Sequence, residues 1–271
     1  MNSKTMNLLQ TNDLWLMDPT AYLRLATMPA ITALHPVAAP TTPPYTQEGA
    51  VAVVAIHGVI TRQMGGVQKM LFDSFGEAYA ESGNLAQLMA KLQSDPSVKA
   101  VLLDVDSPGG SVNGTPELAA AVARLSRDKH VYAYTAGLCC SAAYWVASQA
   151  DAIYAAPSAR LGSVGVLLPV TDSSEAYNQK GLKVEVFAAG KYKGAGVSGT
   201  ALSDEQRTLL QEQVNATWQD FKSAVNRRRN IADENMEGQT FTGAEAKLRG
   251  LSDARADSLS FLLEKLQTRH G

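Results

Sequence analysis

From Val51 onward, short apolar blocks alternate with polar ones whose apolar residues fall at helical spacing. VAVVAIHGVI is rich in β-branched residues and predicts a buried strand broken at Gly58. Leu85, Leu88, Met89 and Leu92 share one helical face within Asn84 to Gln93. Asp95-Pro96 ends that helix, because the residue before a proline avoids helical backbone. Val98 to Val105 predicts a second buried strand, running into Ser107-Pro108-Gly109-Gly110-Ser111. A helix over Thr115 to Leu125, a strand over Val131 to Tyr134 and a helix over Ala142 to Ser148 follow. This β-α-β-α-β-α order implies an α/β fold of parallel strands joined by helical crossovers.

The second half continues with a strand over Ala152 to Ala155, a glycine-flanked strand or turn over Gly162 to Val166, and a helix over Glu175 to Lys180. Leu182 to Ala188 predicts another strand, closed by Gly190-Lys191-Tyr192-Lys193-Gly194. A long helix runs from Asp204 to about Arg228, opened by a Ser203/Gln206 capping box. Its stripe of Leu210, Val214, Trp218, Phe221 and Val225 reads as core packing, with a contact to another subunit as the alternative. Thr242 to Ala246 starts a short helix ended by Gly250, and Leu259 to Leu266 forms a last amphipathic one.

Residues 1–47 have a different texture. Five of the eleven prolines (Pro29, Pro36, Pro40, Pro43 and Pro44) crowd there, and such sequence makes extended linkers. The chain therefore divides into an N-terminal segment, 1–47, and a catalytic-sized domain, 48–271. The segment is expected to hold a short helix around Pro19 to Thr27 and a tether that docks on a neighbouring subunit or is removed.

Composition narrows the function. A formal net charge of −2 argues against a chain built to bind nucleic acid or an anionic membrane, which demand a basic excess. Arg227, Arg228 and Arg229 form one local basic patch, read as a solvated helix end. The N-terminus offers no apolar signal-peptide core, and no run approaches the roughly 18 apolar residues of a membrane span. The two cysteines, Cys139 and Cys140, are adjacent and unsuited to an ordinary disulfide. These features fit a protein without a membrane anchor, located in a cytoplasm.

TAGLCCSAAYWV, Thr135 to Val146, is where chemistry concentrates. Ser141 stands between a strand pattern and a small-residue helix. There it either caps the helix or presents a nucleophile beside unpaired backbone N–H groups. A serine nucleophile needs a base. His35 lies in the proline-rich segment, His270 is penultimate and His130 precedes a strand, which leaves His57 as the one placed histidine. Lysine is the other choice, provided that it is held neutral. Lys191 and Lys193 share the turn GKYKGAG, and spacing does not choose between them or exclude two solvated loop lysines. Gly109 and Gly110 lie at the C-terminal end of a parallel strand, where open α/β sheets place their sites. Lacking Cβ, they can bring backbone N–H groups close to a substrate oxyanion.

The blocks LDVDSPGGSV, AGLCCSAAYWVAS, ARLGSVGV, GKYKGAGVSG and TFTGAEAKLRGLSDARAD, in that order, resemble the signal peptide peptidase A family of serine peptidases. Within it they resemble the phage branch of capsid-maturation (minor head protein C) proteases. The resemblance implies a Clp-protease/crotonase-like fold and a Ser-Lys dyad. Ser141 would be the nucleophile and Lys193 the general base. Ser163 would orient the lysine amine, and the backbone N–H groups of Gly110 and Ala142 would form the oxyanion hole. It further implies a homo-oligomer, a capsid or scaffold protein as substrate, and a place in the host cytoplasm or phage prohead. No metal or nucleotide cofactor is needed.

The chain departs from the family pattern in three ways. Ser141-Ala142-Ala143 stands where Ser-Gly-Gly is common, narrowing the pocket but keeping the N–H donor. The N-terminal membrane anchor of some members and the scaffold-like extension of others are not seen. Two other functions compete: a crotonase-type acyl-CoA enzyme, which would need neither Ser141 nor Lys193, and a non-catalytic assembly protein. Cys140 is an alternative nucleophile.

Overall fold

The computed structural model describes residues 14–18, 21 and 45–271, the side chain of residue 67 excepted. The strands are β1 (Trp15–Met17), β2 (Tyr45–Glu48), β3 (Val51–His57), β4 (Val59–Thr61), β5 (Tyr79–Glu81), β6 (Ala100–Asp106) and β7 (Gly109–Ser111). They continue with β8 (His130–Thr135), β9 (Leu138–Cys140), β10 (Ala152–Ala155), β11 (Arg160–Gly162), β12 (Thr240–Thr242) and β13 (Ala254–Arg255). The helices are α1 (Gly66–Ser74), α2 (Ser82–Ser94), α3 (Thr115–Asp128), α4 (Ala142–Ala147), α5 (Ser174–Gln179), α6 (Asp204–Asn226), α7 (Gly243–Leu248) and α8 (Leu259–His270).

The main sheet runs β13-β10-β8-β6-β3-β2. Its strands are parallel except for β2, which is antiparallel to β3 at the edge. Parallel strands with helical crossovers are thus present, as the alternation of elements predicts. Burial explains the near-continuous apolar runs. In β6, Val101, Leu103 and Val105 join the large core with residues of α2, α3 and α4, while Ala100 and Leu102 face the other way. On that second face they meet Leu262, Leu263 and Leu266 of α8. A strand covered on both faces has no polar side to show.

Four main-sheet strands continue into a short strand of a second layer: β3 into β4, β6 into β7, β8 into β9, and β10 into β11. That layer comprises the sheets β1-β7-β4-β5 and β12-β11-β9. The sequence pattern does not reveal β7 or β9, because GGS and LCC are too short and too small to show a period of two. They form because their backbones find neighbours in space.

Three expectations are corrected. Leu182 to Ala188 is irregular and largely exposed, without a strand partner, and a strand without a neighbouring edge has no ladder to join. The α6 stripe is only half core: Phe221 and Val225 are fully buried, but Leu210, Val214 and Trp218 are partly exposed. The arginine patch is not simply solvated. Arg229 is buried, donating to the carbonyls of Ser148 at 3.3 Å and Ala150 at 2.7 Å and pairing with Asp253. The helix expected around Pro19 to Thr27 and the proline-rich stretch lie, apart from Ala21, outside the described residues.

Candidate active site

Helix α4 is fixed before it presents anything. Trp145 stacks on Phe221 with centroids 4.7 Å apart, and the buried Tyr144 hydroxyl donates to the Leu251 carbonyl at 3.0 Å. Ser141 occupies the N-cap position of this helix, yet its side chain makes no capping bond. Its backbone has φ 53° and ψ −116°, a conformation a non-glycine residue holds only when the surroundings over-determine it. Its N–H donates to the Gly162 carbonyl at 2.7 Å, and its fully buried Oγ lies 3.5 Å from the Gly165 carbonyl. Among the described residues, one other non-glycine has positive φ, and it is Ser163 at 51°. Ser163 is buried, its N–H donates to the Gln239 carbonyl at 2.7 Å, and its hydroxyl has no partner among the described residues.

The glycine turn is pinned beside β9. Ser107 donates its N–H to the Leu138 carbonyl at 2.7 Å and receives the N–H of Cys140 at 3.1 Å. The two glycines have separate jobs. A Cβ on Gly110 would sit 1.8 Å from the carbonyl oxygen of Ile60, so Gly110 lets β4 pack against β7. A Cβ on Gly109, whose φ is 105°, would sit 2.1 Å from the Leu16 oxygen and 3.0 Å from the Cys140 oxygen. Gly109 therefore keeps open the space between β1 and the residue preceding Ser141. Ala142 begins α4, so its N–H has no intrahelical acceptor. The arrangement can place a carbonyl carbon beside a serine hydroxyl and its oxygen beside backbone donors.

Lys193 is not within hydrogen-bonding distance of Ser141. It is exposed, and its amine has no partner among the described residues. Lys191 lies 4.0 Å from Glu205 and over the Tyr192 ring. Both lysines sit in an arm: from Gly165 to Asp220 no residue is buried. Leu182, Val186, Tyr192 and Val197 of this arm are exposed, and Phe187 is 94% exposed. Ser141, Ser163, Gly109, Gly110 and Ala142 thus come together, and the lysine does not join them in a single chain.

The other nominated groups are occupied elsewhere. His57 pairs with Asp104 at 2.9 Å, and that hydrogen bond raises its pKa. Burial pushes the Cys140 thiol up to about 12 and that of Cys139 well above the usual range, so neither is a ready thiolate. Two features escape sequence reasoning. One is the Gly165 carbonyl facing Ser141; the other is β1, whose only sequence signal is the apolar run Leu14 to Met17 between Asp13 and Asp18.

Ser141 is thus a buried serine on strained backbone beside a glycine turn. The chain belongs to peptidase family S49, whose model matches residues 123–267. It is 31% identical over 191 residues to the capsid assembly protease C of Escherichia phage lambda, covering 67% of this chain and 44% of that protein. It is 26% identical over 230 residues to the head-tail preconnector protein GP5 of Enterobacteria phage P21, covering 83% of this chain and 45% of that protein. A protein of Methanocaldococcus jannaschii, provisionally named a protease, is 35% identical over 170 residues, 61% of this chain and 55% of its own. The chain spans about half the length of these curated relatives. Among solved structures, an enoyl-CoA hydratase of Mycobacterium smegmatis is similar with a TM-score of 0.49 at 15% identity, covering 84% of this chain and 77% of that one. Among the described residues no helix is long and apolar enough to cross a membrane.

Proposed function

We propose that this chain is a serine endopeptidase with a Ser141-Lys193 dyad that cleaves capsid or scaffold proteins during phage head maturation. The observation that carries the chemistry is Ser141 itself: buried, strained and free of the capping bond that a structural serine would make. Lys193 takes the Ser141 proton, Ser141 attacks the peptide carbonyl, and the oxyanion is held by the N–H groups of Gly110 and Ala142. Lys193 returns the proton to the leaving amine, and water then repeats the cycle on the acyl-enzyme. The buried hydroxyl of Ser163 is available to orient the lysine amine. The names of the phage lambda and phage P21 relatives support a substrate in the head.

The base reaches Ser141 by assembly. Leaving a large apolar side chain in water forgoes about 1.5 to 3 kcal/mol relative to burying it. The arm carrying Lys193 exposes several at once, so it is read as the contact with a second copy of this chain. Lys193 of one copy then completes the site of the next.

Co-expression with candidate capsid and scaffold proteins, followed by mass spectrometry of the products, tests this reading. Ser141→Ala and Lys193→Ala are each expected to abolish cleavage, and Lys191→Ala to retain it. Mixing the two inactive variants is expected to restore part of the activity. Cleavage by Ser141→Ala at the wild-type rate would sink the serine mechanism. Failure of the mixture, with each variant assembling normally, would sink the shared site.

A further inference from the structure

Strand β1 runs along β7, the strand formed by the glycine turn. It pairs antiparallel with β7, with Trp15 opposite Ser111, Leu16 opposite Gly110 and Met17 opposite Gly109. Asp18 donates its N–H to the Pro108 carbonyl at 2.8 Å, and Val112 donates to the Leu14 carbonyl at 3.0 Å. Hydrogen-bonded pairs in an antiparallel ladder recur at every second residue. Leu16 and Gly110, midway between those two pairs, therefore form a hydrogen-bonded pair, with the Leu16 carbonyl facing the Gly110 N–H. On its other edge β1 is held by Leu167, whose N–H and carbonyl both bond Trp15, at 3.0 and 2.9 Å. The segment is thus clamped on both edges in extended form.

The register sets the Leu16 carbonyl beside the residue that precedes Ser141. The Leu16 oxygen and the Cys140 oxygen flank the same point, the missing Cβ of Gly109, at 2.1 and 3.0 Å. Cys140 immediately precedes Ser141, and Gly110 is the backbone donor assigned to the oxyanion. The side chains are accommodated as well as the backbone. Leu16 is fully buried in the main core, while Trp15 and Met17 pack with Val59, Met64 and Phe72 on the opposite face. Next to Leu14 lies a cavity of about 360 Å³ lined also by Val112, Leu168, Val170, Ala195 and Leu210.

We propose that Leu14 to Asp18 is this peptidase's own first substrate, and that Ser141 cuts the Leu16–Met17 bond. The proposal rests on the Ser141 peptidase reading above. The Ser141 oxygen adds to the Leu16 carbonyl carbon, and the oxyanion is received by the Gly110 N–H. The carbon–nitrogen bond to Met17 breaks, and the hydroxyl proton passes through the base to the departing Met17 amine. Water then splits the Leu16 ester, leaving a Leu16 carboxylate and restoring the Ser141 hydroxyl. Release of the new end empties the groove for other chains. The same geometry assigns the substrate class: an extended segment with a medium-sized apolar residue before the cut.

The test is intact-mass analysis and N-terminal sequencing of the full chain during incubation, with casein cleavage measured in the same wild-type sample. The wild type is expected to yield a chain beginning at Met17, and Ser141→Ala to stay full length. Met17→Pro is expected to stay uncut at this bond. The Met17 N–H lies outside the hydrogen-bonded pairs with β7, so proline keeps that ladder while blocking acyl transfer. A wild type that cleaves casein yet keeps residues 1–16, or is cut only elsewhere, overturns the proposal and leaves the peptidase reading intact. A wild type that cleaves neither itself nor casein overturns both.

Discussion

Ser141 gives its backbone N–H to the carbonyl of Gly162 at 2.7 Å, and this bond ties Ser141 to the residue before Ser163. Both serines have positive φ, and β9 and β11 run parallel up to this point, with Cys140 opposite Gly162. Two strained serines, each immediately after one of two adjacent parallel strands, are held in mutual register. On the proposed mechanism, such pre-organisation removes the cost of positioning at the moment of reaction.

Ser163 is therefore expected to matter through the lysine rather than through packing. Ser163→Ala and Ser163→Gly should each lower kcat by about 10- to 100-fold, the worth of one hydrogen bond to a charged or reacting group, with little change in KM. Both should move the rising limb of the pH–rate profile. Glycine also relieves the positive φ. If the glycine variant were as active as the wild type, Ser163 would be a backbone device and not an orienting hydroxyl.

Gly109→Ala should block peptide binding. Its Cβ would fall within van der Waals overlap of whatever carbonyl occupies the Leu16 position. Positive φ adds about 1 kcal/mol of backbone strain, so a fall in Tm of several degrees is expected alongside loss of cleavage. Retained cleavage would show that β7 is not the substrate's partner.

Thiol chemistry should be irrelevant to activity. With Cys140 pushed up to about 12 by burial, alkylating reagents at neutral pH should leave cleavage unchanged, and Cys140→Ala should remain active. Loss of activity in the alanine variant, with the fold intact by circular dichroism, would reinstate Cys140 as a candidate nucleophile.

Arg229→Ala should destabilise the chain by about 3 kcal/mol, measured by urea unfolding. It strips the donor from the Ser148 and Ala150 carbonyls and leaves Asp253 unpaired beside the Ile153 N–H, to which it is bonded at 2.7 Å. Arg229→Lys should recover only part of this, because an ammonium cannot serve three acceptors from one planar fork. Equal stability of the alanine variant would return Arg229 to the surface.

The His57–Asp104 pair offers a pH test of its own. The hydrogen bond to Asp104 raises the folded pKa of His57 above the ordinary histidine value, so the pair's contribution is fully present below that ordinary value. It fades as pH rises through the folded pKa. With the ring nearly half exposed, solvent screens the pair and the effect is small. The Tm difference between wild type and His57→Gln should be largest below about pH 6.5 and vanish at alkaline pH. Cleavage should not change, and a dead variant would revive a histidine base.

The legibility of this chain follows the range of the forces involved. Where period and punctuation are local, as in Asp204 to Asn226 with its Ser203/Gln206 box, sequence and structure agree to within two residues at either end. The continuous apolar strands are legible too, since burial on both faces leaves its mark on every position. The candidate residues Ser141, Gly109 and Gly110 could be nominated because glycine turns and a serine at a strand-to-helix junction have local signatures, whereas Ser163 came only with the family resemblance. Leu182 to Ala188 shows the limit: its composition favours a strand, and only an available edge could have made it one.

By itself, then, the sequence determined the α/β order, the parallel sheet and the names of the residues suited to serine chemistry. Only the tertiary structure decided which of those residues meet. Ser141 makes no capping bond, has positive φ and is bonded to Gly162, whereas Lys193 is left on an exposed arm. Leu16, unremarked in a short apolar run, is set opposite Gly110. Hydrogen bonds across sheets join residues far apart in the chain, and no local pattern of apolar and polar positions records such a pairing.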